Sequence, residues 1–143
     1  MYAMPYAYRQ LNETDLPLYK ALMALFREMY AEAGYASEVS SDSEMQTELA
    51  AQDTIFVIAQ TQSSEEVFGG LVASDSNRPE YTFHEIFVDR IDVPKGPDTS
   101  TITEGLIEEL KNIAHERGAN NLYLTHFEDN RDIPIRIPPR RKK

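Results

Sequence analysis

The chain has 143 residues, of which 41% are hydrophobic and 27% charged, a composition typical of one soluble globular domain. It has no cysteine, which excludes disulfides and thiol chemistry, and no apolar run approaching the roughly 18 residues of a membrane span. The start of the sequence lacks a basic segment followed by an apolar core, so we expect a cytoplasmic protein without a membrane partner.

The net charge of −10 is unevenly distributed. Residues 131–143 hold six basic residues and one acidic residue, which leaves 8 basic and 23 acidic residues, a net charge of −15, in residues 1–130. Such a body attracts cations and repels nucleic acid, so a small cationic molecule is one possible ligand. An acidic surface that only keeps the protein soluble explains the same charge more simply, and a nucleic-acid contact through the basic end is a weaker alternative.

The first part of the chain predicts a strand and two helices. Residues 6–11 alternate as a strand does, and residues 19–30 carry an apolar stripe at helical spacing. Ser41 and Glu44 have the spacing of a capping box, which predicts a second, shorter helix to about residue 52.

The middle of the chain predicts three strands. Residues 54–60 and 67–74 form a hairpin pattern around a polar turn, and residues 81–93 read as the next strand. The pair Gly69-Gly70 inside the second of these strands indicates a bulge or a close approach of backbone.

A breaker cluster at residues 94–98 precedes the longest predicted helix. Thr101 and Glu104 have capping-box spacing at its start, and Gly118 stands where a helix ends. Residues 121–125 then predict a further strand.

Residues 128–143 predict an irregular, basic tail, because Pro134, Pro138 and Pro139 exclude a long helix and an interior strand. We therefore divide the chain into a domain of residues 1–127 and this tail. The order of predicted elements is β-α-α-β-β-β-α-β, which indicates a mixed α/β (α+β) fold.

Six strings in this order carry a family resemblance: LNETDL (11–16), ALMALF (21–26), DTIFVIA (53–59), VFGGLVA (67–73), EIFV (85–88) and GLIEELK (105–111). They resemble the GNAT superfamily of acetyl-CoA-dependent N-acetyltransferases, with a closer resemblance to aminoglycoside 3-N-acetyltransferases of the gentamicin-modifying type. The resemblance implies a mixed, mostly antiparallel sheet flanked by helices. It also implies acetyl transfer from acetyl-CoA to an amine of a cationic small molecule.

In that family, a basic, glycine-containing loop holds the pyrophosphate of coenzyme A on backbone amides at a helix N-terminus. The resemblance, carried over from Val93 without a gap, places Asp98 where the family has a basic residue and Thr101 where it has a glycine. The motif is therefore degenerate, and Asp98 and Glu104 are expected to satisfy the helix dipole and to repel a pyrophosphate. The implied acetyl-CoA contacts are Ile91, Val93, Thr101, Ile102 and Thr103.

The resemblance also implies acidic residues that receive a protonated amine. These are Glu85 and Asp89 on the predicted strand and Glu128, Asp129 and Asp132 in the loop that follows the last strand. Glu85 and Asp89 share one face of an ideal strand while Asp92 lies on the other, and a bulge like that of the family would change this phase. A solvated acidic loop is the simpler explanation of residues 128–132.

Several positions depart from the family. Arg90 stands where the family has an Asp close to the reacting amine, and no tyrosine follows Tyr123 to protonate the departing thiolate, so the catalytic residues are unknown. His84, His115 and His126 have no metal-ligand spacing, and no metal is expected.

The closing C-terminal strand of the family is also replaced, which leaves a sheet edge for the tail or a second chain to cover and makes a homodimer the expectation. The alternative function is a noncatalytic binding or interaction protein of the same fold.

Overall fold

The computed structural model describes residues 6–32, 41–61, 66–78, 80, 83–126 and 131–136. The predicted order of elements is confirmed, and a sixth strand is added. The elements are β1 (Tyr6–Gln10), α1 (Leu16–Glu32), α2 (Asp42–Ala50), β2 (Thr54–Thr61), β3 (Val67–Arg78), β4 (Phe83–Asp92), α3 (Thr99–Arg117), β5 (Asn121–His126) and β6 (Arg131–Arg136).

The six strands form one mixed sheet in the order β1-β2-β3-β4-β5-β6. Neighbouring strands are antiparallel except β4 and β5, which are parallel because α3 connects them. The expectation of an irregular chain beyond residue 127 is wrong for residues 131–136, since β6 pairs with β5 at the edge of the sheet, where Pro134 is tolerated. The division at residue 127 and the homodimer stay predictions.

Each face of the sheet carries its own hydrophobic core. Strand β2 supplies both, because successive side chains of a strand point to opposite faces. The core under α3 contains Ile55, Val57, Leu71, Ile86, Val88, Leu106, Leu110 and Leu122. The core under α1 and α2 contains Leu11, Tyr19, Leu22, Phe26, Met45, Leu49, Phe56 and Ile58.

A β-bulge at Asp89 changes the phase of β4. Val88 pairs with Ala73 and Arg90 with Val72, so Asp89 is the extra residue. Ile86 and Val88 face α3 before the bulge, and Ile91 packs against the same core after it. The bulge therefore turns Arg90 toward the α1 face, where its guanidinium lies over the ring of Phe26.

The glycine pair of β3 lies beside a bulge and at a close approach of another element, the two features that its sequence indicates. Phe68 is an extra residue opposite β2, because Gly69 pairs with Ala59 and Val67 with Gln60. A Cβ at Gly70 would lie 2.2 Å from Leu22 Cδ1 of α1, so the absence of a side chain lets α1 approach the sheet.

The predicted helix ends are confirmed in part. Ser41 caps α2 with the complete capping box to Glu44, and Gly118 ends α3 in the left-handed conformation with φ = 80°. The predicted start of α3 at Thr101 is wrong: the helix begins at Thr99, after an N-cap at Asp98 whose side chain makes no capping hydrogen bond. No helix among the described residues is long and apolar enough to cross a membrane.

Candidate functional site

The loop before α3 is closed by one threonine side chain. Thr99 Oγ1 accepts a hydrogen bond from the Gly96 amide (2.8 Å) and donates one to the Pro94 carbonyl (2.8 Å). Asp98 turns its carboxylate away from the helix, to the hydroxyl of Tyr6 (2.7 Å). This hydrogen bond raises the pKa of Tyr6, which keeps its phenol protonated as the donor.

The first turn of α3 presents two backbone amides that bond to none of the described residues. The Thr99 amide donates to the Gly96 carbonyl (3.3 Å) and the Ile102 amide to the Asp98 carbonyl (2.9 Å). The amides of Ser100 and Thr101 have no acceptor within the described ranges. Amides exposed in this way at a helix N-terminus are suited to an anion.

The predicted acetyl-CoA residues surround this turn, but their side chains have structural roles. Val93 and Ile102 are buried in the core under α3, and Ile91 packs against it. Thr103 Oγ1 donates to the Thr99 carbonyl (2.8 Å), and the Thr101 carbonyl accepts from the hydroxyl of Tyr8 (3.3 Å). Any ligand contact of this segment is therefore made through the backbone.

Strands β4 and β5 part at the bulge. Their parallel pairing runs from Glu85 with Asn121 to Val88 with Leu124 and stops there, although β4 continues to Asp92 and β5 to His126. A cleft thus opens in the sheet where β4 leads toward the first turn of α3. The sequence left open whether this strand is regular or carries a bulge like that of the family, and the parting of the strands was not predicted.

A cavity of about 600 Å³ lies on the opposite face of the sheet, between α1, α2 and the bulged part of β4. Its walls are mostly apolar and aromatic, and the charged side chains in them are Glu48, Asp89 and Arg90. The complete lining is Tyr19, Met23, Phe26, Thr47, Glu48, Ala51, Thr54, Phe56, Val72, Asp89 and Arg90.

Each charged side chain of this cavity has a partner. Asp89 accepts a hydrogen bond from the hydroxyl of Ser74, and Glu48 accepts one from the hydroxyl of Tyr19. Burial, and secondly this bond to Glu48, raise the pKa of Tyr19 well above its usual range, so its phenol stays a donor.

Arg90 belongs to the cavity wall. Its Nη2 donates to the Phe26 carbonyl (3.0 Å), its Nε pairs with Asp92, and its Cζ lies 4.3 Å from the centroid of the Phe26 ring. The guanidinium thus places a fixed positive charge beside the carboxylate of Asp89.

The structure separates the predicted substrate residues. Asp89 is exposed at the cavity, whereas Glu85 is buried (8% exposed) and accepts a hydrogen bond from the Tyr123 hydroxyl (2.7 Å). Asp132 lies in β6 opposite Thr125. Glu128 and Asp129 lie outside the described residues.

Sequence reasoning missed Glu48, Ser74 and the aromatic wall of the cavity. Tyr19, at the start of the helical stripe, is a core residue as expected, but its hydroxyl also bonds Glu48 on another helix. Because these contacts join α1, α2, β3 and β4, no local spacing could have revealed them.

A second, polar cavity of about 780 Å³ lies near the C-terminal end of α3. Asp75 accepts from Arg117 Nη1 (2.7 Å) and contacts His84 Nε2 (2.5 Å), and Arg117 also donates to the Gln52 carbonyl (2.8 Å). The cluster ties β3, β4, α3 and the turn before β2 together. Within the described residues, no group of three His, Asp or Glu side chains is placed to hold a metal ion.

The structure resembles solved acetyltransferases, while no protein-family model and no curated protein sequence matches the chain. An aminoglycoside acetyltransferase from an uncultured soil metagenomic sample, in complex with sisomicin, matches with a TM-score of 0.75 and 16% identity over 85% of this chain and 78% of that one.

Two further structures give similar results. An aminoglycoside 6'-acetyltransferase of type Ii matches at TM-score 0.61 and 22% identity, over 82% of this chain and 70% of its own. A predicted acetyltransferase from Clostridium acetobutylicum, with acetyl-CoA, matches with a TM-score of 0.62 and 16% identity over 88% of this chain and 84% of that one. The chain has the GNAT acetyltransferase fold.

Proposed function

We propose that this protein is an N-acetyltransferase that uses acetyl-CoA to acetylate a primary amine of a small cationic molecule. The observation that carries the proposal is the cleft between β4 and β5, which joins the open first turn of α3 to the bulge at Asp89. The likeness to acetyltransferase structures supports it, and one of these is described with acetyl-CoA.

The residues of the chain fit the cofactor at the backbone level. The Ser100 and Thr101 amides are suited to its pyrophosphate, and the edge of β4 at Ile91 and Val93 is suited to the amide groups of its pantetheine arm. When bound, acetyl-CoA would supply an acetyl thioester, whose acetyl group passes to an unprotonated amine as the C–S bond breaks and the coenzyme A thiolate leaves and takes up a proton. Of the residues predicted by resemblance, Ile102 and Thr103 then act by shaping this turn.

Asp89 is the proposed group that receives the proton of the amine. Its carboxylate is exposed at the bulge, in the wall of the cavity, and the Ser74 hydroxyl orients it. A carboxylate within reach of an ammonium, directly or through one water, is suited to this role. The aminoglycoside 3-N amine is the acceptor that the sequence resemblance predicts.

The negative charge of Asp98 beside the open amides opposes the cofactor. Asp98 is the N-cap of α3, and a close pair with a pyrophosphate costs about 1 kcal/mol in a solvated site, whereas Glu104, which was also expected to repel the pyrophosphate, lies in the second turn of the helix. Asp98→Asn removes one charge and retains a good N-cap residue. We expect it to strengthen acetyl-CoA binding about fivefold.

The test is thermal unfolding with 1 mM acetyl-CoA, followed by acetylation assays on a panel of amines. Binding with a Kd near 100 µM would stabilise the chain by about 1.4 kcal/mol, which raises the melting temperature by roughly 5 °C. Glu116→Gln is the matched control, because Glu116 is an exposed acid at the other end of α3. No stabilisation of the wild type or of Asp98→Asn, together with no acetylated amine, would refute the proposal.

The negative charge of Asp98 also favours a second function, a noncatalytic binding protein of this fold. A chain of that kind would bind amines while ignoring acetyl-CoA even in the Asp98→Asn variant. The two functions therefore separate in a titration with coenzyme A alone.

A further inference from the structure

We propose that the cavity between α1, α2 and the bulge takes a primary monoamine with an aromatic or branched aliphatic body, in preference to a polycationic aminoglycoside. The inference rests on the proposed function, in which this cavity holds the amine that accepts the acetyl group. It names the substrate class that the cavity selects.

The wall of the cavity offers a surface for an apolar group. Met23 and Phe26 contribute from α1, and Phe56 and Val72 from the sheet. Tyr19 packs edge-on against Phe56 with ring centroids 4.8 Å apart, which fixes both rings. A flat or branched hydrocarbon body gains about 25 cal/mol for each Å² that it buries here, whereas the hydroxyls and amines of a sugar would lose hydration without partners.

Asp89 offers a carboxylate to the ammonium of a ligand. Glu48 and Asp89 are the acidic side chains in the lining, and Arg90, the basic one, is already paired with Asp92. Each carboxylate accepts one hydroxyl hydrogen bond and keeps lone pairs for an ammonium. A monoamine can therefore be neutralised at Asp89.

Arg90 discriminates against further positive charges. Its guanidinium is held by Asp92, the Phe26 carbonyl and the Phe26 ring, so it stays in the wall. A second or third ammonium of a polycation would approach this fixed cation or the apolar rings. Repulsion between like charges opposes the first placement, and the lost hydration of the ammonium opposes the second.

The experiment is calorimetric titration of the full chain with three probes, in the absence of acetyl-CoA. Tryptamine is the monoamine, tryptophol is its neutral counterpart with the same ring, and tobramycin is the polycation. We expect tryptamine to bind at least tenfold more tightly than either of the others. Equal binding of tryptamine and tryptophol, or preferential binding of tobramycin, would overturn the inference.

Two variants locate the site. Asp89→Asn should weaken tryptamine binding at least tenfold, whereas Asp53→Asn, which makes the same charge change at an exposed position outside this cavity, should leave it unchanged. Met23→Gln should weaken tryptamine and tryptophol alike by severalfold. An unchanged affinity in Asp89→Asn, with the fold intact by circular dichroism, contradicts the assignment.

The outcomes separate this inference from the proposed function. Acetylation of tobramycin but not of tryptamine would uphold acetyl transfer and refute the monoamine site. Tight tryptamine binding without any acetylation in the presence of acetyl-CoA would uphold the site and refute the enzyme.

Discussion

The contact between Tyr8 of β1 and Gly105 of α3 should invert the usual effect of replacing a helical glycine. A Cβ at Gly105 would lie 2.0 Å from Cζ, 2.3 Å from Cε2 and 2.4 Å from the hydroxyl oxygen of Tyr8. Carbon atoms pack at about 3.5–4.0 Å, so the ring must move by roughly 1.5 Å and its bond to the Thr101 carbonyl is lost.

Two effects of opposite sign then compete. Alanine stabilises a helix interior by about 0.5–1 kcal/mol relative to glycine, and overpacking costs about 1–3 kcal/mol. We expect Gly105→Ala to lower the free energy of unfolding by about 1 kcal/mol in the wild type. In a Tyr8→Ala background, where the ring is absent, the same change should raise it by about 0.5–1 kcal/mol.

Urea unfolding of the four chains of this double-mutant cycle measures both signs. Gly96→Ala is the control, because a Cβ there would meet nothing within 4 Å. An equal stabilisation by Gly105→Ala in both backgrounds would show that Tyr8 does not pack on the glycine, and it would refute the reasoning.

Two further predictions concern buried polar contacts. Asp75→Asn should lower the free energy of unfolding, measured in urea, by about 2 kcal/mol, because Arg117 and His84 lose a charged acceptor. The control is Glu108→Gln in the exposed pair with Lys111, which should change the free energy of unfolding by less than about 0.5 kcal/mol. Equal effects of the two variants would contradict the role of the cluster. Burial raises the pKa of Tyr19 above its unfolded value of 10.0, so the stability that this tyrosine contributes is complete below pH 10 and is lost as the pH rises further. Tyr19→Phe should therefore flatten the fall in the free energy of unfolding between about pH 10 and 11. An unchanged slope would exclude this cause.

Local chemistry was predictable from the sequence where it acts within a few residues. Ser41 and Glu44 satisfy each other across one turn, and Gly118 provides a positive φ that other residues adopt with strain. The predicted start of α3 was wrong for a related reason. The Thr99 hydroxyl bonds to the backbone of Pro94 and Gly96, and this fixes the turn before the apparent capping box.

The site itself depends on contacts between distant segments. The cavity requires Glu48 from α2 and Asp89 from β4. The bulge in β4 decides which face of the sheet its last residues point to. Resemblance predicted Asp89 and the turn near Thr101, while Glu85 is occupied with Tyr123. Strand β6 was missed because Pro134 argues only against interior strands, and the sheet edge that tolerates it is a property of the assembled sheet.

The bulge at Asp89 makes the end of β4 sensitive to residue count rather than to residue type. If all of these residues were kept in a regular strand, Arg90 and Asp92 would point into the core under α3 and Ile91 and Val93 would turn outward, whereas deletion of Asp89 alone would straighten the strand and leave Arg90 on the α1 face. Single replacements along these positions leave the alternation intact. Within this fold, a relative that lacks the bulge should therefore have one residue fewer between Val88 and Val93 and still bury the counterparts of Ile91 and Val93.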